Sequence, residues 1–206
     1  MLDLFRAGRG IALAVCAMAL IALSGASACG GDSGDESANG AEKTAPAIAP
    51  TSTAALTLTS DAFADNSPIP TEHTCSGANT SPPLRWSGAP ADTGAFVLLV
   101  DDPDAPAGTF DHWVVYDLPA STTGLAAGVP AGETLMDGGK QGKNGIDQMA
   151  YMGPCPPAGP EHHYRFRLFA LDAPLGLEPG ASKSEVEQAM ETHVLAETVL
   201  TGLFGR

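Results

Sequence analysis

From about residue 55 onward, short apolar runs alternate with long stretches rich in turn-forming residues. Four runs predict strands: Ala55–Ser60, Ala95–Asp102, His112–Leu118 and Tyr164–Asp172. Each is rich in Val, Leu, Phe or Tyr and is bounded by Pro, Gly or Asp. Phe96-Val97-Leu98-Leu99-Val100 has no polar position, which predicts a strand buried on both faces. Glu161–Leu168 alternates instead, as side chains do along a strand. His162, Tyr164, Phe166 and Leu168 fall on the core side, and His163, Arg165 and Arg167 on the solvent side. The connections Asp65–Gly94, Pro103–Asp111, Pro119–Gly142 and Asn144–Pro160 are long, and loops of this kind carry function or fold over a sheet. Ser182-Lys183-Ser184-Glu185 has the form of a capping box, and Val186, Ala189, Met190 and His193 follow at helical spacing. The end of the chain is ambiguous, although Thr198–Phe204 carries the β-branched residues of a final strand. The pattern is mainly β with one or two short helices.

The apolar run before residue 55 is of another kind. Arg6 and Arg9 precede the apolar Ile11–Leu23, and Ala26-Ser27-Ala28 leads to Cys29. That order predicts a signal peptide over residues 1–28. The alternative, a membrane anchor, suffers because the last third of Gly10–Gly31 is Gly, Ser and Ala, leaving a strongly apolar part too short to span a bilayer. Small residues before a cysteine suit the lipoprotein signal peptidase, which leaves Cys29 as a lipid-bearing N-terminus, although Ala26 stands where a lipobox has Leu. Gly30–Pro50 is Gly, Ser, Asp, Glu, Ala and Pro with almost no large apolar residue, so residues 29–55 predict a disordered tether and 56–206 the folded domain. The expected location is the bacterial cell envelope, membrane-anchored through lipid; the alternative is a periplasmic or secreted protein.

Charge narrows the partners. Ten Lys and Arg face 24 Asp and Glu, a formal net charge of -14, which repels phosphate backbones and argues against nucleic acid. It also means that any anion site must be built from local donors. Of four cysteines, Cys16 lies in the signal segment and Cys29 is taken by lipid. That leaves Cys75 and Cys155, which in an exported protein are expected to pair, the alternative being two separate thiols.

The candidate chemistry sits at strand ends. Asp101-Asp102-Pro103-Asp104-Ala105-Pro106 closes the buried strand, so a carboxylate lies near the core and needs a partner. His112 opens the next strand, and His162 and Tyr164 point inward where a Pro-rich loop ends. Two His, an Asp and a Tyr at strand ends can form one polar pocket rimmed by Pro and Gly. A carboxylate beside an imidazole is expected to raise its pKa.

Several stretches in register resemble the phosphatidylethanolamine-binding protein family, specifically its bacterial Raf-kinase-inhibitor-like branch. They are Thr74-Cys75-Ser76-Gly77, Ser81-Pro82-Pro83-Leu84-Arg85-Trp86, Asp101–Pro106, His112-Trp113-Val114-Val115-Tyr116, Tyr151-Met152-Gly153-Pro154-Cys155-Pro156-Pro157 and His162-His163-Tyr164. The resemblance spans about Leu56 to Arg206. It implies a central antiparallel sheet packed on a smaller one, with short helices, and an anion pocket. Asp102, Asp104, His112, His162 and Tyr164 would line or support that pocket, with Gly153 and Pro154 at its rim. It also implies that the loops of Cys75 and Cys155 flank the pocket. Asn144-Gly145-Ile146-Asp147 departs from the family's usual Asn-Asp-Phe-Gly after its first residue, which puts the rim's shape in question.

The leading expectation is therefore a binding protein with no catalytic residue and no cofactor, taking a small anionic ligand or phospholipid head group. A second reading is an inhibitor of an envelope protease or kinase, with a protein partner. A third is a metal-assisted hydrolase using the His and Asp residues. Its residue types suit a metal, but their spacing matches no metal signature and no Gly-x-Ser-x-Gly nucleophile elbow is present.

Overall fold

The computed structural model describes residues 55–206; the expected signal peptide, Cys29 and all but the last residue of the expected tether lie outside them. The elements are β1 (Thr57–Thr59), β2 (Ser67–Pro68), a 3-10 turn (Thr71–His73), β3 (Leu84–Ser87), β4 (Ala95–Asp102), β5 (Phe110–Pro119), β6 (Gly124–Leu125), β7 (Lys140–Gln141), β8 (His162–Leu171), α1 (Lys183–Met190) and β9 (Val194–Phe204). A six-stranded sheet runs β2-β9-β8-β4-β5-β7, and a three-stranded sheet runs β1-β3-β6. In the large sheet only the two-residue β2 pairs in parallel. This is the mainly β, two-sheet architecture with a short C-terminal helix that pattern and resemblance together led one to expect.

β4 is central in the sheet and buried at every position, which its unbroken apolar run requires. Its two faces feed two cores. Phe96, Leu98 and Val100 join Trp113, Tyr164, Phe166 and Leu168 beneath the small sheet, where Leu58, Leu84 and Trp86 close the layer. Val97 and Leu99 join Val114, Tyr116 and Phe169 beneath α1, which contributes Val186 and Met190. Gln141 of β7 is a buried polar anchor: it accepts from Trp113 Nε1 (2.8 Å) and donates to the carbonyls of Pro130 and Gly132 (2.9 Å each).

The capping box is formed: Glu185 N donates to Ser182 Oγ (3.3 Å) and Ser182 N to Glu185 Oε2 (2.8 Å). Ser182→Ala should therefore destabilise the domain by about 1 kcal/mol, read as a shift in urea midpoint at unchanged slope. The helix is shorter than the apolar spacing suggested. His193 lies beyond it, its Nδ1 bonded to Asp172 (2.7 Å), and the chain turns directly into β9. β9 itself begins at Val194, four residues before the expected Thr198–Phe204 strand.

Candidate functional site

β4, β5 and β8 are neighbours, and the end of β4 meets the starts of β5 and β8. Strand alternation separates the two adjacent carboxylates at the end of β4. Asp101 turns toward α1, where it accepts from Lys183 Nζ and Arg165 Nε (2.7 Å each). Asp102 turns the opposite way, with Val100 and Leu98, toward the other core. On β5, plain alternation from Val114 would aim His112 at the helix side. The pairing shifts from Val100↔Trp113 to Asp101↔Asp111, so His112 is the extra residue of a β-bulge. The bulge re-aims its ring onto Tyr164 (centroids 5.2 Å apart) on the Asp102 side.

The result is a cavity of about 270 Å³ lined by Asp102, His112 and His162 together with apolar groups, chiefly Pro106, Phe110, Met152, Pro156 and Pro157. His162 Nδ1 donates to Asp102 Oδ2 (2.7 Å), and Asp102 Oδ1 accepts from Asp104 N (2.8 Å), so both carboxylate oxygens are used. His112 Nδ1 lies 2.6 Å from the Met152 carbonyl. A carbonyl or carboxylate can only accept, so each Nδ1 carries the hydrogen and Nε2 is left as the uncommitted nitrogen of each ring. Burial pushes the His112 pKa down, and this outweighs the Met152 carbonyl and the nearby carboxylates, Asp102 first, which act upward. The expectation that a carboxylate neighbour would raise it fails for His112 because desolvation is the larger effect.

Of the expected site residues, Asp102, His112 and His162 line one cavity. Tyr164 lies against both imidazoles, 1 % exposed, and its hydroxyl has no hydrogen-bond partner among the described residues. Burial first, and then Asp102, raise its pKa, so it stays protonated and is a donor in want of an acceptor. Asp104 differs from expectation: its carboxylate faces away from the cavity and accepts from His163 Nδ1 and N (2.7 and 2.8 Å), so it reaches the site only through its main-chain N–H. Those bonds from His163 hold its pKa below the usual carboxylate range. Gly153 and Pro154 stand behind the wall instead of in it. Gly153 N donates to Asn79 Oδ1 (2.7 Å), and a Cβ there would collide with the His73 carbonyl, so glycine lets the two loops meet. Pro154 accepts from Cys75 N (3.1 Å).

Cys75 and Cys155 are bonded, with Cα atoms 5.3 Å apart, and Cys155 itself lines the cavity. The atypical Asn144–Asp147 segment touches the site only indirectly. Gly145 packs on the Phe110 ring, which forms part of the wall, and Asn144 Oδ1 caps its own turn through the N–H groups of Ile146 and Gln148. Phe110, Met152 and Pro156 were not named as site residues from the sequence, although Met152 and Pro156 lie in the Tyr151–Pro157 stretch that carried the resemblance. Phe110 and Met152 lie two and one positions from residues that were, so adjacency along the chain was the available signal.

The fold agrees with comparison to known proteins. The family model described as Phosphatidylethanolamine-binding protein matches residues 59–205. A UPF0098 protein of Methanothermobacter thermautotrophicus is 49% identical over 151 residues, covering 73% of this chain and 99% of the relative. A Mycobacterium tuberculosis protein named "Putative lipoprotein LppC" is 40% identical over 204 residues, covering 93% and 94%. The solved structure of E. coli YbcL, described as a member of the mammalian PEBP family, superposes with a TM-score of 0.68 at 31% identity, covering 73% and 98%. The chain belongs to the phosphatidylethanolamine-binding protein family.

Proposed function

We propose that this chain is an exported, lipid-anchored binding protein whose cavity takes a small oxyanion, either a free phosphate-like ion or the phosphate of a head group. The observation that carries the reading is the convergence of Asp102, His112 and His162 on one small cavity, each imidazole tied at Nδ1 with Nε2 uncommitted, beside the unpartnered Tyr164 hydroxyl. In this reading Asp102 orients His162, the Met152 carbonyl orients His112, and Tyr164 donates to the ligand. The apolar rim limits entry to a head group. Among the described residues no three His, Cys, Asp or Glu side chains are grouped to hold a metal ion, and no Ser, Thr or free Cys lines the cavity. Anchoring at Cys29 follows from the N-terminal pattern and is supported by the lipoprotein-named relative, whose similarity extends beyond the domain. No helix among the described residues is long and apolar enough to cross a membrane.

The hydrogen positions make a pH prediction. A neutral Nε2 only accepts, whereas bound sulfate, which carries no proton near neutrality, also only accepts. An imidazole Nε2 can therefore bond sulfate only once its ring has gained a proton. His112 is depressed in the free protein, so it must take up a proton on binding. Binding is present below the bound-state pKa and lost as pH rises through it. Sulfate affinity should fall roughly tenfold per pH unit per proton taken up between about pH 5.5 and pH 7.5. Monohydrogen and dihydrogen phosphate can donate P–OH to a neutral Nε2 and should show a shallower slope. Calorimetric titration of wild type and His162→Ala checks this; a flat sulfate profile in both would assign the anion to backbone amides instead.

A further inference from the structure

The cavity has no fixed positive charge on its walls, since neither Lys nor Arg lines it. Asp102 is buried in it, and both rings are uncharged until they gain a proton. The whole chain, at -14, adds an unfavourable long-range field. An oxyanion entering this site needs a cation that the lining does not provide.

Among the described residues there are four arginines. Arg85 is paired with Asp61, Arg165 with Asp101, and Arg167 with Glu187 and Glu197. Arg206 forms no ion pair among the described residues, yet it is not loose. Phe204 lies opposite His162 in the β8–β9 ladder, so two residues later the chain is at the cavity end of the sheet. Arg206 Nε donates to the Pro156 carbonyl (2.7 Å), and Gly159 N donates to the Arg206 carbonyl (3.2 Å). Side chain and main chain are thus both fastened to the loop whose Pro156 and Pro157 form the wall. One of five guanidinium N–H groups is used, which leaves both Nη groups for a ligand. The positive charge of Arg206 is also felt at the buried Tyr164 hydroxyl, where it opposes the upward push of burial and Asp102.

We propose that Arg206 is a ligand-binding residue of this cavity, its guanidinium docked on the Pro156 carbonyl at the rim and supplying the fixed positive charge that an oxyanion requires. The proposal rests on the oxyanion reading above. A planar fork with two free Nη groups matches the paired oxygens of phosphate, sulfate or carboxylate, so Arg206 selects oxyanions over neutral or cationic ligands.

The test is calorimetry with sulfate at about pH 5.5, the acid end of the range proposed above, where binding is expected to be strongest, at low and high ionic strength, about 20 and 300 mM salt. Arg206→Gln should weaken sulfate binding about tenfold at low salt, the scale of one charge-assisted contact. The deficit should shrink at high salt, with melting temperature unchanged. Arg206→Lys keeps the charge but not the planar fork, and should recover only part of the lost affinity. A purely structural fastening of the wall predicts instead a deficit indifferent to salt. That result, or equal affinity in Arg206→Gln and wild type, overturns the proposal. Parallel arms with inorganic phosphate and with phosphatidylethanolamine vesicles separate a free anion from a lipid head group, and the Arg206→Gln deficit is expected in each that binds. If wild type binds none of the three, the oxyanion reading falls, and Arg206 with it.

Discussion

Asp101→Asn should lower the unfolding free energy by about 3 kcal/mol, the scale expected when one member of a buried ion pair is removed. Asp101 is fully buried and holds two cations, Arg165 and Lys183; Lys183 is 11% exposed and also reaches Asp111 (3.0 Å). The neutral amide would leave Lys183 dependent on Asp111 alone and Arg165 free to turn to water, which keeps the effect near the lower end of the range. The change also has a pH signature. Burial acts to raise the Asp101 pKa, but the bonds and charges of Arg165 and Lys183 together more than reverse it, and the carboxyl is held below its ordinary value. A depressed carboxyl contributes stability that is complete above the unfolded-state value, about 3.9, and is lost as pH falls through the folded-state value. The difference between wild type and Asp101→Asn should therefore be constant above about pH 5 and close below about pH 4. Urea denaturation at a series of pH values reads both. A gap that persists unchanged at acid pH would mean that the aspartate acts through packing and not through its charge.

Removal of the disulfide should have a comparable effect. Cys75 and Cys155 are 80 residues apart, and closing such a loop restricts the unfolded chain by about 4 kcal/mol on the entropic model. Cys75→Ser combined with Cys155→Ser should melt roughly 10 °C below wild type, given how such losses scale for a domain of this size. Affinity should change far less than stability. The wall is also held by Cys75 N to the Pro154 carbonyl, Gly153 N to Asn79, Met152 N to the His112 carbonyl, and the Tyr151 hydroxyl to the His73 carbonyl. Sulfate binding lost together with the disulfide, at a temperature where the variant is folded, would show that these bonds do not hold the wall by themselves.

Much of this arrangement was legible in the chain because it depends on period-2 alternation and turn chemistry. The unbroken apolar run of β4, the inward His162 and Tyr164, and the Ser182 capping box appear where the pattern put them, while Arg165 and Arg167 take the opposite face as expected but lie half-buried beside α1 instead of in solvent. Other features were not legible for physical reasons. β3 is four residues long inside a loop-rich stretch, too short to show a period against its Pro and Gly neighbours. The first half of β9 exposes Val194, Leu195 and Val199, so apolar residues occupy its outer positions and alternation is masked. The direction of Asp104 and the bulge at His112 depend on tertiary geometry. A two-residue step from Asp102 suggests a shared face, but the strand ends at Asp102, and Asp104 is free to turn to His163. The bulge at His112 breaks the very alternation from which its direction would be inferred.

The Asp102, His112 and His162 set draws one residue each from β4, β5 and β8, which stand side by side in the sheet. A slip of β8 by a single residue would exchange His163 for His162 and carry Arg165 and Arg167 into the apolar layer around Phe166 and Leu168. Such a chain could keep its β-sheet content and its circular dichroism, yet it would have no paired imidazole opposite Asp102. If the cavity binds an oxyanion as proposed, anion titration of a refolded preparation counts correctly registered molecules, a quantity that spectroscopic measures of secondary structure do not resolve.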